Sequence, residues 1–194
     1  MKELEEKILR EGEVFPGEIL KVGSFLNQQI DVPFMMEMGQ EVKRLFDGVP
    51  ITKILTVESS GIAIGFAVAA AMGLPMVFAK KHKSLNLSAD LLKSSVFSFT
   101  HRTSYDIVVS SEYIPRHDVV LIVDDFLAQG NAILGLLDLC EQAGATVAGA
   151  AVAIEKGFQG GGKMLRDKGI RVESLAIVES MSDDSVIFKV QGNN

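Results

Sequence analysis

A single cysteine, Cys140, stands in 194 residues, so no intramolecular disulfide can form. A chain that makes no use of disulfides fits a reducing compartment. Cys140 falls in a run with a helical pattern, residues 132–143, and reads there as a small core residue. The three histidines, His82, His101 and His117, show no ligand spacing with it, which argues against a metal cage. Aromatics reach only 7%, whereas glycine is plentiful at 18, a mix that suits tight turns and close packing in an α/β fold. Long apolar runs are missing too. The longest, residues 62–71, is too short to span a bilayer. Residues 1–13 are mostly charged and lack an apolar signal core. Positive charge is also in short supply. The net charge of −6 makes a general nucleic-acid binder a poor fit, because phosphate backbones call for a basic surface. The expectation is a cytoplasmic protein with neither a nucleic acid nor a membrane as partner.

What is present points to a globular chain, with 47% hydrophobic and 23% charged residues. Its length suits one domain, residues 1–194. Residues 1–11 read as an amphipathic helix, and 14–31 as mostly irregular. Pro33 opens a helix to about Phe46, with Asp31 near its N-cap. From residue 51 the pattern changes. Apolar strands are expected at 51–57, 76–79, 94–99, 107–109, 119–123, 146–154, 170–178 and 185–190. Helices are expected at 61–72 and from the loop 127–131 to about 143, with a turn and short helix over 160–168. Residues 80–89 read as polar and basic, and 101–106 as a turn. Such alternation implies a mainly parallel central sheet flanked by helices. Ligands then bind beyond the carboxyl ends of the strands.

The most informative stretch is Val119-Val-Leu-Ile-Val-Asp-Asp-Phe-Leu-Ala-Gln-Gly-Asn-Ala132. Two adjacent carboxylates, Asp124 and Asp125, stand at a strand's end, where they can accept hydrogen bonds from vicinal hydroxyls such as those of ribose. Charge-assisted bonds of this kind contribute roughly 1.5–3 kcal/mol each. A small-residue loop follows and opens a helix, whose first N–H groups and dipole favour an anion. Gly130 permits the turn and lets backbone approach a ligand. The plain alternative is a buried strand whose end happens to be acidic.

This segment resembles the phosphoribosyltransferase family, whose binding motif for phosphoribosyl pyrophosphate (PRPP) is an apolar strand, two acids and a short loop rich in Thr and Gly. Gln129, Asn131 and Ala132 depart from that loop, so backbone would carry more of the phosphate contact. The likeness covers nearly the whole chain, through residues 21–27, 56–61, 79–87, 123–130 and 154–159, and is strongest to the bacterial branch that uses xanthine. It implies a single-domain phosphoribosyltransferase fold, with residues 1–50 as N-terminal helices and a base-binding hood, and 51–194 as the α/β core. It implies PRPP on Ala128, Gln129, Gly130, Asn131 and Ala132, and ribose on Asp124 and Asp125. Glu58, Ser59, Ser60 and Gly61 would form the pyrophosphate loop, helped by Lys80, Lys81 and Lys83. Base contacts fall on Leu20, Asn27 and Lys156. It further implies Mg2+ delivered with PRPP, a homodimer, a mobile loop within 84–105, and transfer to N9 of xanthine in purine salvage.

Each auxiliary position has a plainer use. Ser59 to Gly61 also suits a helix cap. Lys80, Lys81 and Lys83 suit a solvated basic turn, Lys156 a strand-end lysine, Asn27 a turn, and Leu20 and Phe158 the core. Gly157 to Lys163 nearly spells a nucleoside-triphosphatase phosphate loop, but Met164 stands where a hydroxyl must hold magnesium. Gly160 to Gly162 therefore read as a flexible turn. Two rival functions remain open: a PRPP-sensing regulator, for which the first fifty residues lack a basic helix-turn-helix, and a transferase acting on adenine, guanine or orotate.

Overall fold

Residues 1–82, 90–98, 103–182 and 185–190 are described by the structure, a computed structural model. Lys83 and much of the expected mobile loop lie outside them. Helix α1 (Lys2–Glu11) buries Leu4 and Ile8, one turn apart, and leaves its charged face outward. Residues 14–31 are more ordered than the irregular stretch expected. Strands β1 (Glu13–Phe15) and β2 (Ile19–Lys21) pair antiparallel around Gly17 and Glu18, both at positive φ, and a π-helical turn spans Gly23–Asn27. The Pro16-Gly17 dipeptide marks that hairpin. Helix α2 (Val32–Leu45) begins as its sequence dictates, with Pro33 in the first turn and the Asp31 carboxylate accepting the Phe34 N–H at 3.2 Å.

The core is a sheet of strands β3 (Lys53–Val57), β4 (Met76–His82), β5 (Leu91–Ser98), β6 (Thr103–Ser110), β7 (Val119–Leu127), β8 (Thr146–Lys156), β9 (Val172–Ser182) and β10 (Ser185–Phe188). Their spatial order is β10-β9-β8-β7-β3-β4-β6-β5. The run from β9 through β8, β7 and β3 to β4 is parallel, and antiparallel strands close both edges. The sheet is thus mixed but mostly parallel. Its two faces follow strand alternation: Ile54, Leu121 and Val123 join one core, Leu55, Val120 and Ile122 the other. The first core packs against α1, α2 and α3 (Gly61–Met72), the second against α4 (Asn131–Ala143) and α5 (Gly161–Asp167). Among the described residues, no helix is long and apolar enough to cross a membrane.

Several strands outrun the expected bounds. Lys80 and Lys81, expected in a basic turn, continue β4 and pair with Val108 and Ile107 of β6. Thr103 to Asp106, expected in a turn, belong to β6 and pair with β5. A ladder partner on the neighbouring strand overrides local turn preference in both cases. β7 likewise runs through Asp124 and Asp125 to Leu127, because β8 continues beside it as far as Glu155.

Candidate active site

The turn after β3 and the N-terminal segment both reach the paired acids of β7. Asp124 and Asp125 are both buried, at 5% and 6% exposure, which demands polar partners. The Asp125 N–H donates to Asp124 Oδ1 at 2.9 Å. Ser60 Oγ, from the turn after β3, donates to Asp125 Oδ1 at 3.0 Å, and Asn27 Nδ2, from the N-terminal segment, to Asp125 Oδ2 at 3.4 Å. Ser60 occupies the N-cap position of α3, yet its hydroxyl serves Asp125 rather than capping that helix. Gly61 is needed here: a Cβ would collide with Thr56 Oγ1 and lie 2.9 Å from Asp124 Oδ1. Burial first, and then the neighbouring Asp125 charge, push the Asp124 carboxyl well above the ordinary aspartate range. The pair is therefore an acceptor site short of positive charge.

Beyond β7 the chain turns through Ala128, Gln129 and Gly130 into α4. Gly130 adopts φ 88°, a left-handed conformation that glycine takes without strain. No side chain caps α4, so its first-turn amides are offered to whatever enters the turn. Asn131 Nδ2 is engaged by the Phe97 carbonyl of β5 at 3.1 Å. Ala128 to Ala132 line a cavity of about 500 Å³. Lys156, at the end of β8, lines the same cavity.

The Lys156 ammonium donates to the Glu18 carbonyl at 2.7 Å and sits 5.7 Å from the Phe126 ring centre. Burial holds its pKa below the ordinary lysine value, a shift that the Glu18 carboxylate only partly offsets. Glu18 also accepts from Gln159 Nε2 at 2.8 Å, so the β1–β2 turn is fastened across the cavity mouth at two points. Sequence reasoning missed Glu18, Gln159, Phe126 and Tyr105 as cavity residues. The Pro16-Gly17 turn signal could have located Glu18; the others carry no local signature.

The remaining expected site residues are more scattered. Glu58 accepts the Lys81 N–H at 2.6 Å, which joins the turn after β3 to β4. The Glu58–Ser59 peptide is cis, and Ser59 is exposed. The Lys80 and Lys81 side chains are exposed, with the Lys81 ammonium 5.2 Å from the Tyr105 ring centre. Leu20 is buried in the first core and does not line the cavity. Lys83 lies outside the described residues.

Comparison with known proteins bears on the family and the fold. Residues 37–180 match the phosphoribosyl transferase domain family. A xanthine phosphoribosyltransferase of Oceanobacillus iheyensis is 52% identical over 189 residues, 97% of each chain. One from Clostridium novyi is 52% identical over 97% of this chain and all of that one. Among solved structures, the adenine phosphoribosyltransferase of Giardia lamblia, complexed with 9-deazaadenine, superposes with a TM-score of 0.72 at 28% identity. That match covers 87% of this chain and 92% of the Giardia chain. The adenine enzyme of Rhodothermus marinus shares the fold with a TM-score of 0.73 at 23% identity, over 92% of this chain and all of its own. The family match and the near-full-length relatives show that the chain belongs to the phosphoribosyltransferase family.

Proposed function

We propose that this protein transfers the 5-phosphoribosyl group of PRPP to N9 of xanthine, releasing pyrophosphate and forming xanthosine 5′-monophosphate for purine salvage. The observation that carries the reading is one juxtaposition. Two buried, mutually repelling carboxylates lead along one segment into an uncapped helix start, and that helix start lines the cavity that holds Lys156. The xanthine-using relatives named above support the choice of base.

In this reading Asp124 and Asp125 accept the ribose hydroxyls and stabilise positive charge developing at C1. Residues 128–132 hold the 5-phosphate largely through backbone. Glu58 to Gly61, with Lys80, Lys81 and Lys83, receive the departing pyrophosphate. Magnesium enters as part of the PRPP complex. The acid pair suits a cation beside the ribose hydroxyls, and among the described residues no cluster of three His, Cys, Asp or Glu forms a cage. Catalysis is then mostly positioning and electrostatics. Asn27, bonded to Asp125, links the hood to the ribose site, and Leu20 belongs to the core that supports the hood. Lys156 gives a reason for xanthine: the base carries a second carbonyl at C2 and readily loses a proton, so a cation favours it over hypoxanthine. The enzyme is read as a cytoplasmic homodimer.

The test is a panel of xanthine, hypoxanthine, guanine, adenine and orotate assayed with PRPP and Mg2+. Xanthine should be used best, and Lys156→Ala should lower its kcat/KM about ten-fold or more relative to hypoxanthine, the worth of one charge-assisted contact. Equal losses for every base would remove Lys156 from base selection, and no turnover of PRPP with any base would end the proposal.

A further inference from the structure

The glycines of the false phosphate loop have a different use. Gly161 and Gly162 are buried in the first turn of α5, not in a flexible turn as their sequence suggested. A Cβ on Gly161 would run into the Ala128 carbonyl oxygen and lie 2.5 Å from the Gln129 carbonyl carbon and 2.7 Å from the Gly130 nitrogen. Backbone of α5 therefore rests directly on backbone of the 128–130 turn. The Gly161 N–H also donates to the Ala128 carbonyl at 3.1 Å, so this acceptor is engaged by α5. Across the same contact, a Cβ on Gly130 would meet Met164 Cε at 3.0 Å.

Behind this contact α5 is anchored by an ion pair between the partly exposed Arg166 and a buried carboxylate. Glu155, 3% exposed, accepts two bonds from Arg166, at 2.9 and 2.8 Å, and one from Ser174 Oγ at 2.5 Å. Arg166 also donates to the Val172 carbonyl at 3.2 Å. A Cβ on Gly162 would collide with the Glu155 carboxylate and lie 2.6 Å from Arg166 Nη1, so the helix can approach the pair only as glycine. Glu155 is the β-ladder partner of Leu127, the last residue of β7, and immediately precedes Lys156.

We propose that α5 is the floor of the 5-phosphate site, with Gly161 and Arg166 as positioning residues for PRPP. Arg166 fixes α5 on β8 and β9 through Glu155, Gly161 transmits that position to residues 128–130, and Lys163 touches no phosphate. The inference rests on the reading of residues 128–132 as the 5-phosphate site. A misplacement of about 1 Å in such a turn costs up to about a hundred-fold.

The experiment measures KM for PRPP and for xanthine, kcat, ribose 5-phosphate affinity by calorimetry, and thermal stability. It compares the wild-type protein with Gly161→Ala, Arg166→Met and Lys163→Ala. Folded Gly161→Ala should raise the PRPP KM and the ribose 5-phosphate Kd about ten-fold or more, with the xanthine KM changed far less. Arg166→Met should move the same constants in the same direction, which keeps the idea testable if Gly161→Ala does not fold. Lys163→Ala, on the exposed side of α5, should change nothing; a raised PRPP KM there would mean direct phosphate contact and overturn the floor role. Wild-type constants in either folded floor variant, or losses in both KM values and kcat that merely track melting temperature, would overturn it as well. Failure of the wild-type protein to bind ribose 5-phosphate would instead remove the phosphate site itself.

Discussion

At the scale of single residues, the acid pair opposes stability. Asp124 is buried and lies against Asp125, so its folded pKa is raised above the unfolded value. For a carboxyl shifted upward, stability is lost as pH rises above about 4, the ordinary aspartate value, because the folded state resists ionisation. Asp124→Asn keeps an oxygen for the Asp125 N–H and removes the repelled charge. It should stabilise the protein at pH 7 by about 1 kcal/mol or more and reduce PRPP turnover about a hundred-fold. Melting temperature and a PRPP assay check both halves; a destabilised variant would contradict the electrostatic account. The two acids were legible because their place at the end of an apolar run is local information. Their partners were not. Ser60 and Asn27 lie 65 and 98 residues away in sequence and meet Asp125 only through folding.

Single elements tell a similar story. Helix α2 starts where Asp31 and Pro33 say it must, since caps act within one turn. Its seat on α3 depends on Gly39, which no local rule marks. A Cβ there would lie 2.5 Å from the Ala67 carbonyl oxygen and 2.6 Å from its carbon. Gly39→Ala should gain helix propensity yet lose about 1–3 kcal/mol overall through overpacking. Urea denaturation gives the answer, and a neutral or stabilising change would show that the two helices can separate freely. Strands β4 and β6 were underestimated for the complementary reason. Lys80, Lys81 and Ser104 to Asp106 read as polar turn residues alone, and the adjacent strands supply the ladder that makes them extended. The glycines of α5 reversed their apparent meaning: a flexible turn by composition became a packed contact because backbone from the loop after β7 lies on Gly161 and the Glu155–Arg166 pair lies on Gly162.

For the molecule as a whole, ion pairs on buried carboxylates join separate elements of the fold. Lys53 on β3 pairs with Asp118, just before β7, at 2.6 Å, and Arg166 on α5 pairs with Glu155 on β8. Burial pushes both carboxyls up, but Lys53 and Thr52 on Asp118, and Arg166 and Ser174 on Glu155, outweigh it and hold both below their ordinary range. A depressed carboxyl contributes stability that is complete above its unfolded pKa, about 4, and is lost as pH falls through the folded value. Stability should therefore fall below about pH 4, and Asp118→Asn should flatten that acid limb while lowering the plateau, as urea midpoints across pH 3–7 will show. An unchanged acid limb would mean that the Lys53–Asp118 pair does not link folding to pH.

Local chemistry in the chain was enough to specify alternating strands and helices, a mostly parallel sheet, and an acid pair leading through a glycine turn into a helix start. Each follows from side-chain period or from contacts within a few residues. Strand order, the edge pairings, the fastening of Lys156 and Gln159 to Glu18, and the packing of α5 against the 128–130 turn were decided by tertiary structure. These depend on groups as many as 141 residues apart meeting at van der Waals or hydrogen-bond distance. Periodicity constrains which face of an element turns inward, but not which neighbour it finds there.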